Sequence, residues 1–329
     1  NITILTGDSG SGKTVLIDLI RDYNRYGTDS GVFLSCDCEC KTINNEDWER
    51  QIEETSGNII FIDEGNRFLI SKRFAELVKQ SDNYFVLATR EKLATLSYSI
   101  NEIYGFRESG KFHEAKQKYN EIYHLYGEIS ENNPVNPEYV ITEDSNSGYE
   151  FFEHLCTEKG IKCAYASGKS NIIKCLQQSD NTNVMKLIIV DGAAFGSEMR
   201  DVHEYLETFS GTAVLYAPES FEWLLLKANV VPELNVNVIL KQPEDYVDSK
   251  KYVSWERYFT DLLVDNTRNS PIWAYSKRKL QKMYLSSKVV NAVKKIMKLP
   301  HQIKLCAIKR SWKNGNNKNS CNKYEFALW

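Results

Sequence analysis

The chain alternates short apolar runs with longer amphipathic stretches. Residues 2–5 (ITIL), 32–35 (VFLS), 58–62 (NIIFI) and 84–88 (YFVLA) are too short for core helices and read as buried strands. Residues 12–26, 46–54 and 74–80 lie between or just before them and carry a helical pattern. This alternation predicts a parallel sheet covered by helices, the α/β class. A tyrosine-rich helix is expected over 114–126. GEISENNPVNPE, residues 127–138, then supplies two prolines and several turn formers, as a linker does. A second alternation follows, with strands over 139–142, 162–166, 186–190 and 213–216. Its helices fall at 148–159, 171–178 and 198–209. No repeat of fixed period is present. After Pro243 the chain turns helical and basic. The expected organisation is an α/β domain over 1–130, a second over 137–244 and a basic helical tail over 245–329, its polar end flexible.

Composition narrows the class. Hydrophobic residues make up 42% and charged residues 26%, which excludes a disordered chain, a collagen and a coiled-coil rod. No apolar stretch approaches the ~18 residues of a membrane span, and no signal-like leader is expected. The chain opens at Asn1 and enters a strand pattern at once, which fits a trimmed start or a processed end. The eight cysteines are spread through a long chain, unlike a secreted disulfide framework, and fit a reducing cytoplasm. Cys36, Cys38 and Cys40 alternate, so a strand there would put all three on one face. They lack the spacing of a zinc site. His113, His124, His154, His203 and His301 stand at no metal-ligand spacing.

The charge is asymmetric. Residues 266–329 hold 15 Lys or Arg and one acid, Glu325. Such a segment suggests contact with nucleic acid or another anionic surface. Trp273, Tyr275, Tyr284 and Trp312 could stack on bases there. Packing against the acidic remainder of the chain, or against another copy or a partner protein, explains the same asymmetry.

Candidate chemistry concentrates where the apolar runs end. Gly7-Asp8-Ser9-Gly10-Ser11-Gly12-Lys13-Thr14 satisfies the phosphate-loop pattern G-x-x-x-x-G-K-[ST], with a strand before it and a helix after it. Its glycines let backbone N–H groups face phosphate oxygens, and the helix start favours the same anion. Lys13 is expected on the β- and γ-phosphates and Thr14 on Mg²⁺. The strand NIIFI ends in Asp63-Glu64, the Walker B arrangement. Asp63 is expected to hold Mg²⁺ and Glu64 to polarise water. Thr89-Arg90 ends the next strand and is a candidate γ-phosphate sensor; a solvated strand end explains it equally well. Arg67, Arg73 and Arg107 are further arginine-finger candidates.

Residues 1–100 thus resemble P-loop NTPases. No guanine-specifying N-K-x-D follows, so the resemblance implies ATP. The same loop, with IIFIDEGNRF, is also similar to thymidine-kinase-type enzymes, in which Glu64 would deprotonate a nucleoside hydroxyl. The paired-cysteine lobe of that family is absent. Residues 139–226 resemble a Toprim domain of overcoming-lysogenization-defect nucleases. The resemblance is carried by YVIT ending in Glu143 before GYEFFEHL, by Gly168-Lys169-Ser170-Asn171, and by KLIIV ending in Asp191. It implies Mg²⁺ held by Glu143 and Asp191. Ala193 stands where the family's second aspartate is expected; Asp144 can be counted with Glu143 and Asp191, with Glu198 or Glu222 as replacements. Helix caps at strand ends are the plain alternative for Glu143 and Asp191, and a turn before a helix for Lys169. The implied function is an ATPase acting on nucleic acid, as in ATPase–Toprim nucleases of mobile elements and phage defence. An ATP-gated binding module that cleaves nothing, and a small-molecule kinase, remain the alternatives.

Overall fold

The computed structural model describes residues 2–44, 46–108, 120–126, 134–135, 137–178, 184–209, 212–231, 234, 236–247, 251–252, 254–297 and 305–306. The protein is mixed α/β, dominated by parallel strands, and divides into two compact units between Tyr126 and Gly127.

In the first unit, strand β1 (Ile2–Thr6) leads into helix α1 (Lys13–Tyr26). Strand β2 (Cys40–Ile43), helix α2 (Trp48–Glu53), strand β3 (Ile59–Ile62), helix α3 (Lys72–Gln80) and strand β4 (Tyr84–Ala88) follow. Strands β5 (Ile103–Glu108) and β6 (Asn120–His124) complete it. The sheet order is β2-β3-β4-β1-β5-β6, with only β6 antiparallel. Strand β4 therefore separates the loop-bearing β1 from β3. All of β3 is buried, as its unbroken apolar run requires. Leu16, Ile17 and Ile20 of α1 pack with Leu5 and Phe61. Each such side chain stabilises the unit by about 1.5–3 kcal/mol. Ser71 caps α3 by accepting from the Phe74 N–H at 3.1 Å.

Two expectations are corrected here. Residues 32–35 form no strand. Phe33 is exposed, and the pairing with β3 goes to β2, whose Cys40 and Ile43 are buried. The three alternating cysteines consequently share no strand face, since only Cys40 lies in β2 and Cys36 is exposed. The helix expected over 114–126 is, where described, strand β6. Its side chains are half-buried against β5, and the His124 ring lies 4.4 Å from that of Tyr104. Cross-strand packing of this kind overrides local helix preference. Residues 111–119 lie outside the described set.

In the second unit, strands β7 (Pro134–Val135) and β8 (Tyr139–Thr142) precede helix α4 (Ser147–Thr157). Strand β9 (Lys162–Tyr165), helix α5 (Ile172–Gln178), strand β10 (Lys186–Ile189), helix α6 (Met199–Thr208) and strand β11 (Ala213–Tyr216) continue the alternation. Helices α7 (Phe221–Lys227), α8 (Asn237–Lys241), α9 (Trp255–Thr267) and α10 (Ser287–Ile296) follow, then strand β12 (Leu305–Cys306). The main sheet is parallel, in the order β11-β10-β8-β9, and β12 pairs with β7 antiparallel.

The basic segment contributes to this unit's core. Phe259, Leu263, Tyr275, Leu280, Tyr284, Val289, Val290 and Val293 are buried with Phe151, Leu224 and Leu225. Tyr275 and Tyr284 are therefore closed to base stacking. Trp312 and residues 307–329 lie outside the described set.

Gly192 fixes the route of the chain beyond β10. Its N–H donates to the Pro218 carbonyl at 2.6 Å, and the Ala193 N–H to that of Glu219 at 3.1 Å. A Cβ at Gly192 would meet the Ala217 and Pro218 carbonyl oxygens at 2.7 and 2.9 Å. Gly192→Ala is expected to destabilise the second unit by about 1–3 kcal/mol, measured by urea titration. An unchanged midpoint would contradict this close approach.

Candidate functional site

In the first unit the phosphate loop lies between β1 and α1. Gly12 precedes the helix with φ of +102°, a conformation open to glycine. A side chain there would also strike the Asn120 Nδ2 at 2.6 Å. Asn120, on the unforeseen strand β6, donates to the Ser11 carbonyl at 3.2 Å and steadies the loop. Lys13 is 4% exposed. Its ammonium donates to the Gly7 carbonyl at 2.7 Å, the Asp8 carbonyl at 3.1 Å and the Ser11 Oγ at 3.1 Å. These three acceptors are neutral groups, so an anion in the loop would meet no carboxylate among them. Asp8, Ser9 and Gly10 are exposed.

The first turn of α1 and the end of β3 meet at Thr14 and Asp63. The Thr14 hydroxyl donates to the Asp63 Oδ1 at 3.3 Å, and the same oxygen accepts the Glu64 N–H at 2.8 Å. A hydroxyl and a carboxylate beside a phosphate loop are a donor set suited to Mg²⁺. Arg90 reaches across from the end of β4. Its Nε and Nη2 each lie 3.1 Å from a Glu64 carboxylate oxygen. Both partners are partly exposed, so the pair contributes only about 0–1 kcal/mol and exchanges readily. Thr89 is buried and accepts the Glu91 N–H. Arg73 binds Glu49 and Glu53, and Arg67 is exposed. The side chain of Arg107 lies outside the described set.

In the second unit, Glu143 follows β8 and Asp191 follows β10, at neighbouring strand ends. The Asp191 N–H donates to the Glu143 Oε2 at 3.1 Å. Both line a cavity of about 30 Å³ with Asp144, Ser147, Glu222 and Lys277. Glu222 is 1% exposed. Its Oε1 accepts from the Tyr275 hydroxyl at 2.7 Å and lies 3.7 Å from the Lys277 ammonium. Its Oε2 is buried without a hydrogen-bond partner. Lys277 also pairs with Glu256 of α9.

Burial pushes the Glu143 carboxyl up to about 7; the Asp191 N–H holds it down and the Glu256 charge adds to the rise. Burial likewise lifts Asp191 well above the ordinary carboxylate range, with Glu256 and Glu222 adding to it. Burial opposes the Lys277 ammonium, but Glu222, Glu256 and Asp191 outweigh it and keep it charged.

The structure thus brings Glu143 and Asp191 together and adds Glu222. It leaves Glu198 buried but outside the cavity lining. Lys169 donates to the Ala194 carbonyl at 2.8 Å. Glu256 and Lys277 were not anticipated from sequence, and Tyr275 was read only as a base-stacking candidate. They lie in the segment expected to be a basic tail, and no local motif marks them. Among the described residues, no three His, Cys, Asp or Glu side chains are already arranged to hold a metal ion. The carboxylate donors nevertheless suit a hard cation, and the unpartnered Glu222 oxygen lacks a ligand of that kind.

The chain matches no protein-family model and no curated protein sequence. No helix among the described residues is long and apolar enough to cross a membrane.

The carboxylates set a pH dependence. The folded pKa of Glu143 and Asp191 lies above the unfolded value, so folding favours their protonated forms. Their stabilising effect is full at low pH and is lost as pH rises; for Glu143 the loss runs from its ordinary value of 4.5 up to about 7, by at most ~1.4 kcal/mol per pH unit. In chelator, the melting temperature is expected to fall between about pH 4.5 and about pH 7, and Glu143→Gln to flatten that fall. Identical profiles for the wild type and the variant would contradict the burial of an ionisable Glu143.

Proposed function

We propose that the protein is a P-loop ATPase whose second unit performs Mg²⁺-dependent chemistry on nucleic acid, in the manner of the ATPase–Toprim nucleases it resembles. The observation that carries the ATPase assignment is the buried Lys13 ammonium inside the glycine loop, beside the Thr14–Asp63 contact. Lys13 and the loop amides would bind the β- and γ-phosphates. Thr14 and Asp63 would hold Mg²⁺, which neutralises charge developing on the phosphate oxygens when bound. Glu64 would accept the proton of the attacking water once Arg90 leaves its carboxylate, and the γ-phosphate gives Arg90 a competing partner.

The second unit enters this reading through its carboxylates. Glu143, Asp191 and Glu222 converge on one cavity at the carboxyl ends of parallel strands, where such sheets bind ligands. They would hold the divalent ion that polarises a phosphodiester.

Lys13→Ala is expected to abolish phosphate release and weaken ATP binding by roughly tenfold or more. Glu64→Gln is expected to keep ATP bound while turnover falls roughly a hundredfold. Hydrolysis surviving in Lys13→Ala would overturn the ATPase assignment. Transfer of phosphate to a nucleoside would favour the thymidine-kinase-like alternative.

Glu143→Ala and Asp191→Ala should each eliminate metal-dependent cleavage of DNA or RNA and leave ATP hydrolysis intact. Wild-type protein that cleaves neither, with Mg²⁺ or Mn²⁺ and with or without ATP, would leave the ATP-gated binding module in place of the nuclease.

A further inference from the structure

The acidic cavity of the second unit contains a cation of its own. Carboxylates from Asp191, Glu222 and Glu256 act on the Lys277 ammonium, and Glu143 lines the same cavity. That ammonium is delivered by a fixed segment. The Lys277 carbonyl accepts the Ser147 N–H at 2.8 Å, and three residues on, the Leu280 N–H donates to the Glu150 Oε2 at 2.6 Å. Both bonds tie the segment to the start of α4, beside Glu143. Tyr275, two residues before Lys277, bonds both Ser147 and Glu222 at 2.7 Å. The lysine is thus built into the site.

We propose that Lys277 takes the place of a second metal ion, so that this cavity binds one divalent cation, Mg²⁺ or Mn²⁺, through Glu222, Asp191 and Glu143. This rests on the reading of the second unit as metal-dependent. Three observations carry it. A two-metal site needs enough carboxylates to clamp ions ~3.5–4 Å apart, and the position two residues after Asp191 is the buried Ala193, which offers no ligand. The Lys277 ammonium already pairs with Glu222 and Glu256, which reduces the negative charge left for a second ion. Glu222 points to the ligand: its Oε2 is buried and unpartnered, while its Oε1 is already engaged by Tyr275 and faces Lys277. One oxygen is committed to the built-in cation and the other remains for a metal. A lysine ammonium supplies one positive charge and three N–H donors. It can therefore neutralise a phosphate oxygen beside the metal.

The test is Mn²⁺ binding to the full chain without nucleotide. Asp63→Ala forms the background, so that the first unit contributes no metal ligand pair. Calorimetry should give one ion per chain, and electron paramagnetic resonance an isolated-ion spectrum. Glu222→Gln should weaken that binding roughly tenfold or more. Lys277→Met should admit a second ion and produce a spin-coupled spectrum, whereas Lys277→Arg should keep one. Two coupled ions in the Lys277-containing protein would overturn the proposal and leave the metal-dependent reading standing. No ion bound would overturn both. Unchanged binding in Glu222→Gln, or a single ion in a folded Lys277→Met variant, would overturn the assignment of these residues. Should Lys277→Met fail to fold, the stoichiometry with Lys277 present still decides.

Discussion

A charge carried to the end of a buried strand has lost most of its water and must be compensated by the protein or by a ligand. Both units are organised around that requirement. In the first, an ammonium is buried among backbone carbonyls and one hydroxyl, with no carboxylate among its three acceptors. In the second, Glu222 and Glu256 share the Lys277 ammonium, and Glu143 and Asp191 line the same cavity. The charges are opposite and the placement is the same: the carboxyl ends of parallel strands, where helices and loops leave an opening. The first arrangement favours an anion and the second a cation. Under the proposed function these ligands are phosphate and a divalent metal ion.

The compensation is graded. Lys13 is enclosed, so its interactions are strong and local. The Glu64–Arg90 pair is partly exposed and weak. Glu64 can therefore move from arginine to water at little cost. Asp63 has less freedom, since Thr14 and the Glu64 amide both bind its Oδ1. A fixed aspartate next to an exchangeable glutamate suits the separate roles proposed for them, one on metal and one on water.

Much of this was legible in the sequence. The runs ITIL, NIIFI, YFVLA, YVIT and KLIIV are buried strands because short apolar runs bounded by polar turns have few other uses. The phosphate loop could be read because its glycines and lysine are adjacent in the chain. Strands β2 and β6 could not, because their pairing depends on neighbours far away in sequence. The segment after Pro243 was read for its charge, while its buried Phe259, Tyr275 and Tyr284 interleave with exposed lysines and arginines. That interleaving concealed Lys277. Glu222 was only one of several replacements for a missing aspartate until the Gly192 crossing brought α7 beside Asp191.

The central claim is that the loop from Gly7 to Thr14 encloses the phosphates of ATP. Hydrogen–deuterium exchange of the loop amides tests it most directly, because bound phosphate oxygens would accept from those N–H groups. Adding ATP and Mg²⁺ is expected to slow exchange across Gly10, Ser11, Gly12, Lys13 and Thr14, with no such slowing in Lys13→Ala. Loop exchange that stays the same with and without saturating ATP would contradict the account.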